Sequence, residues 1–91
     1  MEEKSPQRGN GDNVRAKYTM AVTVTLTGVE PHRIRRYECA GIIRPKRTES
    51  GQRLFTDDEV LLIKEVFRLN KKGINIEGIK AVMAVKKGKE I

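Results

Sequence analysis

The stretch His32–Phe55, HRIRRYECAGIIRPKRTESGQRLF, decides how this chain of 91 residues is read. Pro31 precedes it, and proline suits the first turn of a helix, where its missing N–H is no loss. Glu30 adds a negative charge at the same end. Ile34 and Tyr37 share one face at i, i+3 spacing, Gly41 supplies a stop, and His32, Arg33, Arg35 and Arg36 occupy the other face. Such a helix docks inward through Ile34 and Tyr37 and offers guanidinium groups outward. Arginine fits that role because its planar fork binds guanine edges or phosphate oxygens in pairs. Ile42-Ile43-Arg44-Pro45 then reads as extended, since Pro45 restricts Arg44 to β or polyproline geometry. Thr48, Glu49, Ser50 and Gly51 form a turn, and Gln52-Arg53-Leu54-Phe55 alternates as a return strand. A ribbon with Lys46, Arg47, Gln52 and Arg53 at its tip or edges suits phosphate oxygens, contacts that position a protein rather than select a sequence. A basic helix followed by a basic hairpin has the order of a recognition helix and a wing, and points to double-stranded DNA.

Downstream, Thr56 is a good N-cap, with Asp57, Asp58 and Glu59 in the first turn and a capping-box match from Thr56 to Glu59. Val60, Ile63 and Val66 or Phe67 repeat at helical spacing, with Leu61, Leu62 and Leu69 broadening the stripe, and Gly73 closes the helix. Asn75 caps a second helix whose apolar face is Ile76, Ile79, Val82 and Met83. Upstream, Tyr18–Val29 is ambiguous. Val22-Thr23-Val24-Thr25-Leu26 alternates with heavy β-branching, a strand signature that the composition slightly favours. Thr19 could equally cap a helix carrying Met20, Val24 and Leu26 toward a core, with Gly28 ending it.

Charge is uneven along the chain. The formal net charge is +7, and the excess is concentrated between Val14 and Phe55, where nine bases face three acids. A concentrated positive field attracts a polyanion and gives salt-dependent affinity; the alternative is a solvated basic surface that keeps the protein in solution. Tyr18, Tyr37, Phe55 and Phe67 are the only aromatics, too few for the stacking platforms of single-strand and RNA binders. A domain this small has little room for an enzymatic cleft, and lone His32 lacks a neighbouring carboxylate or nucleophile arranged for catalysis. Cys39 is alone, which excludes an intramolecular disulfide and a cysteine metal site and favours a reducing, cytoplasmic setting. Redox sensing would need an activated thiolate; a filler cysteine on a helix flank is the simpler reading. No apolar run approaches a membrane span, and nothing resembles a signal peptide.

Taken together, YTMAVTVTLTGVEPHRIRRYECAGIIRPKRTESGQRLFTDDEV followed by KKGINIEGIKAVM resembles the DNA-binding domain of the MerR family of bacterial transcription regulators. The pieces that carry the likeness are Leu26-Thr27-Gly28-Val29, Ile34-Arg35-Arg36-Tyr37-Glu38, Gly41-Ile42-Ile43, Pro45, Arg53-Leu54-Phe55, and Gly73-Ile74-Asn75-Ile76 leading to Gly78-Ile79-Lys80. The resemblance implies a mainly α fold with a small β-hairpin wing, a winged helix-turn-helix in the order helix-helix-wing-helix-helix. It makes Met20–Leu26 the first helix rather than a strand. By position, Arg35 and Tyr37 match residues the family uses at DNA, and Arg53 matches its wing arginine. Arg36 stands where an aromatic is usual, and Phe55 where tyrosine is frequent. Val22, together with GINIEGIK, is more similar to the branch containing heat-shock and glutamine-synthetase repressors.

The domain expectation is a disordered tail over 1–16, the winged domain over 17–85 and a short basic tail over 86–91. Family members continue into a long dimerising helix and an effector domain, whereas this chain stops at Ile91. The resemblance therefore implies no drug pocket or metal-binding cysteine set, no cofactor, and activity through self-association or a regulatory protein. Dimers on inverted half-sites and head-to-tail arrays both fit. The functional expectation is a sequence-specific regulator of duplex DNA, a repressor, reading the major groove through some of His32, Arg33, Arg35 and Arg36. Tyr37, Lys46, Arg47, Gln52 and Arg53 would hold the backbone. The alternative is a protein-interaction adaptor docking on an acidic partner, or an excisionase-like architectural DNA-binding protein.

Overall fold

The computed structural model describes residues 15–90, with side chains described as far as Met83. The expected tail over 1–16 lies almost wholly outside them. Four helices and one hairpin follow in the order α1 (Met20–Thr27), α2 (Pro31–Cys39), β1 (Lys46–Arg47), β2 (Arg53–Leu54), α3 (Asp57–Lys71) and α4 (Ile76–Glu90). The helix-helix-wing-helix-helix order is the one implied by the family resemblance.

The composition-based strand preference for Met20–Leu26 is corrected: the segment is helical. Thr19 caps it, its Oγ1 accepting the Val22 N–H at 3.2 Å. Gly28 ends it at φ +73° while donating its N–H to the Val24 carbonyl at 2.7 Å, a left-handed conformation that costs a residue with a Cβ more than glycine. The inward residues are Met20, Thr23, Val24 and Thr27, spaced i, i+3, i+4, i+7. Thr23 is fully buried, while Val22 and Leu26 are exposed. The core position held by a threonine is what made the pattern look two-periodic. Thr25 and Thr27 bond their hydroxyls to the carbonyls of Ala21 and Thr23 four residues back, at 3.2 and 2.8 Å, which keeps those polar groups inside the helix.

A three-residue turn, Gly28-Val29-Glu30, leads to α2. Val29 is fully buried, and the Thr27 hydroxyl accepts its N–H at 3.1 Å. Ile34 and Tyr37 face the core as expected. At the far end Gly41, at φ +83°, donates to the Glu38 carbonyl and Ile42 to the Tyr37 carbonyl, a Schellman closure that turns the chain toward the wing. The same pair of bonds closes α3, from Gly73 to Asn70 and from Ile74 to Leu69.

The wing pairs Lys46 with Leu54 and Arg47 with Arg53, antiparallel. Its turn is held by the Thr48 N–H on the Gln52 carbonyl at 2.8 Å and by the Thr48 hydroxyl accepting the Gln52 N–H at 3.1 Å. Beyond β2, Phe55 and Tyr18 form an isolated antiparallel bridge. Helix α3 starts in the expected capping box, with Glu59 N–H on Thr56 Oγ1 and Thr56 N–H on Glu59 Oε1, both at 3.0 Å. It buries Val60, Ile63 and Val66. Leu61, assigned by pattern to the apolar stripe, is 61% exposed instead. Asn75 Oδ1 accepts the Gly78 N–H at 2.8 Å at the start of α4, and Ile79 is fully buried while Val82 is not. The helical backbone continues to Glu90, through most of the stretch expected as a basic tail. Lysines and alanine there are strong helix formers.

One core joins these elements: Val29, Ile34, Tyr37, Ile43, Phe55, Val60, Ile63, Val66 and Ile79. Burying each large side chain among them contributes on the order of 1.5–3 kcal/mol, so α2 and the two residues that flank the wing, Ile43 and Phe55, are fixed to the α3–α4 pair by packing.

Candidate nucleic-acid interface

Helix α2 distributes its polar residues in two directions. Arg35 and Arg36 are exposed and have no side-chain partner among the described residues. Arg33 does not join them. Its guanidinium lies over the Phe67 ring, 5.5 Å from the centroid, and its Nη1 reaches Asn70 Oδ1 at 3.5 Å. An attractive cation–π contact and a polar partner on α3 thus turn toward the scaffold a residue expected to point outward. Asn70 is tied in turn, its Nδ2 donating to the Ile74 carbonyl at 2.9 Å.

His32 is exposed at the start of α2. The sequence showed no carboxylate arranged beside it, yet Glu30 Oε1 is 3.3 Å from its Nδ1. Both side chains are largely open to solvent, a setting without the buried nucleophile or desolvated base of a catalytic pair.

Tyr37 is 1% exposed. Its hydroxyl is buried without a hydrogen-bond partner among the described residues. Burial raises the phenol above its ordinary value, against the opposing charges of Arg33 and Arg36. The side chain expected to hold the DNA backbone is thus packed in the core of the free protein.

On the wing, Lys46 and Gln52 are exposed. Lys46 has no side-chain partner among the described residues. Arg47 and Arg53, expected as backbone clamps, each meet a carboxylate of this chain. Glu38, in the last turn of α2, accepts Arg53 Nε on Oε1 at 2.6 Å and Arg47 Nη2 on Oε2 at 3.2 Å. Arg47 Nη1 also donates to the Gly51 carbonyl at 3.1 Å. Because Arg35 stands one helical turn before Glu38, it shares the wing-facing side of α2.

Sequence reading missed two members of this surface. Glu38 enters the sequence reading as an acid among the bases and as part of the Ile34–Glu38 family piece, with no contact assigned to it; its signal is an isolated acid at the end of a basic helix, immediately before a basic hairpin. Arg44 is read from sequence only as part of the extended segment before Pro45, and its side chain is exposed without a partner among the described residues. Its backbone N–H is held by Glu59 Oε2 at 3.1 Å, which joins the start of the wing to the cap of α3. Behind the wing, Tyr18 donates its hydroxyl to Asp57 Oδ1 at 2.6 Å, and Lys17 Nζ lies 2.9 Å from Asp57 Oδ2.

Two short helices joined by a tight turn, followed by a two-stranded wing and backed by a longer helical pair, make this a winged helix-turn-helix domain. The chain belongs to the MerR family: residues 18–86 match the MerR HTH family regulatory proteins. The putative heat shock protein HspR of Streptomyces coelicolor is 31% identical over 67 residues, which cover 72% of this chain and 44% of the relative. The HTH-type transcriptional regulator GlnR of Bacillus anthracis is 32% identical over 69 residues, 76% of this chain and 54% of the relative. The chain spans about half the length of these curated relatives. Among solved structures it is similar to HiNmlR, a MerR family regulator lacking the sensor domain, bound to promoter DNA. The TM-score is 0.70 and the identity 26%, over 76% of this chain and 53% of that one. No helix among the described residues is long and apolar enough to cross a membrane.

Proposed function

We propose that this chain is a sequence-specific regulator of duplex DNA, a repressor, with α2 in the major groove and the wing on the phosphate backbone. The observation that carries the reading is the outward, unpartnered pair Arg35 and Arg36 on the second helix of the helix-turn-helix. It is supported by the likeness to HiNmlR, which is bound to promoter DNA. Arg35 reads base edges; His32 and Arg36 flank it; Arg44, Lys46, Arg47, Gln52 and Arg53 serve the backbone. Arg33 acts from behind, holding α2 against α3.

The chain acts as a binding protein rather than an enzyme, in the cytoplasm, and self-associates on paired half-sites or in an array. Selection of bound sites from random duplex DNA tests this directly. Enrichment of a defined motif at a fixed spacing supports the reading, since spacing reports assembly geometry as well as specificity. Recovery of no motif, with binding no tighter than that of a scrambled basic peptide, would leave a protein adaptor as the better account.

A further inference from the structure

We propose that Glu38 is a positioning residue for the wing, setting its angle to α2 and so the discrimination between specific and generic DNA; this rests on the DNA-binding reading above. The wing strands are two residues each, too short to hold an orientation by their own ladder. The base of the hairpin is pinned by the Tyr18–Phe55 bridge and by Glu59 on the Arg44 N–H. The turn from Thr48 to Gln52 bonds mainly to itself. Among the described residues, the side-chain hydrogen bonds from α2 to the paired strands all pass through one carboxylate. Glu38 divides its oxygens between Arg53 and Arg47, which face each other across the ladder.

Glu38 and Arg53 are each only 22% exposed, and their bond is short, so the contact is better shielded than an open surface ion pair. Arg53 uses one of five N–H donors on it, leaving the others for phosphate oxygens. The charge argument sharpens the point. A carboxylate beside a DNA-facing surface repels phosphate, so on electrostatics alone its removal strengthens binding to every duplex. A positioning role has the opposite sign on the selected sequence.

The test compares wild type, E38Q, E38D, R53Q and the E38Q/R53Q double variant. In the free protein, backbone 15N relaxation of residues 46–54 reads wing mobility without DNA. E38Q is expected to loosen these amides relative to α2, and E38D to do so less. Binding is then measured to the duplex enriched by the wild type from a random pool and to a scrambled duplex of equal length. The expected result for E38Q is a specificity ratio lower by on the order of tenfold, with scrambled-DNA affinity held or raised, as for loss of a geometric constraint rather than of a charge. In the R53Q background the Glu38 effect on the ratio is smaller, because only the link to Arg47 is left to lose. A parallel change on both duplexes, in either direction, or wing amides as rigid in E38Q as in wild type, overturns the proposal. If the wild type enriches no sequence, the DNA-binding reading falls while the relaxation result still decides whether Glu38 holds the wing.

Discussion

Thr23 and Tyr37 each bury a hydroxyl for which the described residues supply no partner. A buried hydroxyl without a hydrogen bond is a net cost, and its replacement by an isosteric apolar group removes that cost. Thr23→Val and Tyr37→Phe are therefore expected to be neutral or stabilising by up to about 1 kcal/mol each, seen as a raised urea midpoint at unchanged slope. Tyr37→Phe does a second service. If the hydroxyl were a phosphate ligand, as its position in the family pattern implied, the variant would lose DNA affinity; with the ring sealed at 1% exposure, affinity should hold. Arg35 carries the opposite expectation. Arg35→Ala should weaken binding to the selected duplex by about 1–3 kcal/mol and relax specificity, the expectation for a base contact. Equal losses on selected and scrambled DNA would make it a phosphate anchor.

Among the elements, α3 was the most legible in sequence and α1 the least. In α3 the cap, the acids of the first turn and the apolar repeat all agree, and the structure reproduces the reciprocal Thr56–Glu59 bonds. In α1 a threonine occupies the most buried position and valine and leucine face outward, so hydrophobicity, the quantity that periodicity reads, pointed the wrong way. Local propensity deferred to packing, as it does when β-branched residues find a complementary surface. At the interface the outward arginines were legible on α2, whereas the inward turn of Arg33 was not, because Phe67 and Asn70 are 34 and 37 positions away in the chain. The α3 cap makes a prediction of its own. Thr56→Ala should cost about 1 kcal/mol, the usual loss for an N-cap. Glu59→Ala should cost more, because Glu59 also holds the Arg44 N–H at the start of the wing. Equal urea midpoints for the two variants would mean that the bond to Arg44 contributes nothing.

Among the described residues, ionic groups either fasten the fold or face outward, and pH and salt separate the two sets. Lys17, Tyr18 and Asp57 belong to the first. The hydrogen bond from Tyr18, reinforced by Lys17, holds the Asp57 carboxyl below its ordinary value of 3.8, and the same bond holds the Tyr18 phenol above 10.0. For Asp57 the folded chain binds the proton less tightly than the unfolded chain, so its contribution is complete above the unfolded value and is lost as pH falls through the folded one. For Tyr18 the contribution is complete below the unfolded value and is lost as pH rises through the folded one. Melting temperature should fall at both extremes in the wild type, with Asp57→Asn flattening the acid limb and Tyr18→Phe the alkaline limb. Lys46 belongs to the second set, exposed on the wing and without a side-chain partner among the described residues. A phosphate contact releases about one counterion, so Lys46→Ala should reduce the slope of log K against log salt by about 1. The loss in affinity should be the same on selected and scrambled duplexes, since a phosphate carries no sequence. If Lys46→Ala damaged only the selected duplex, the wing itself would be reading bases, and sequence discrimination would have to be divided between α2 and the hairpin.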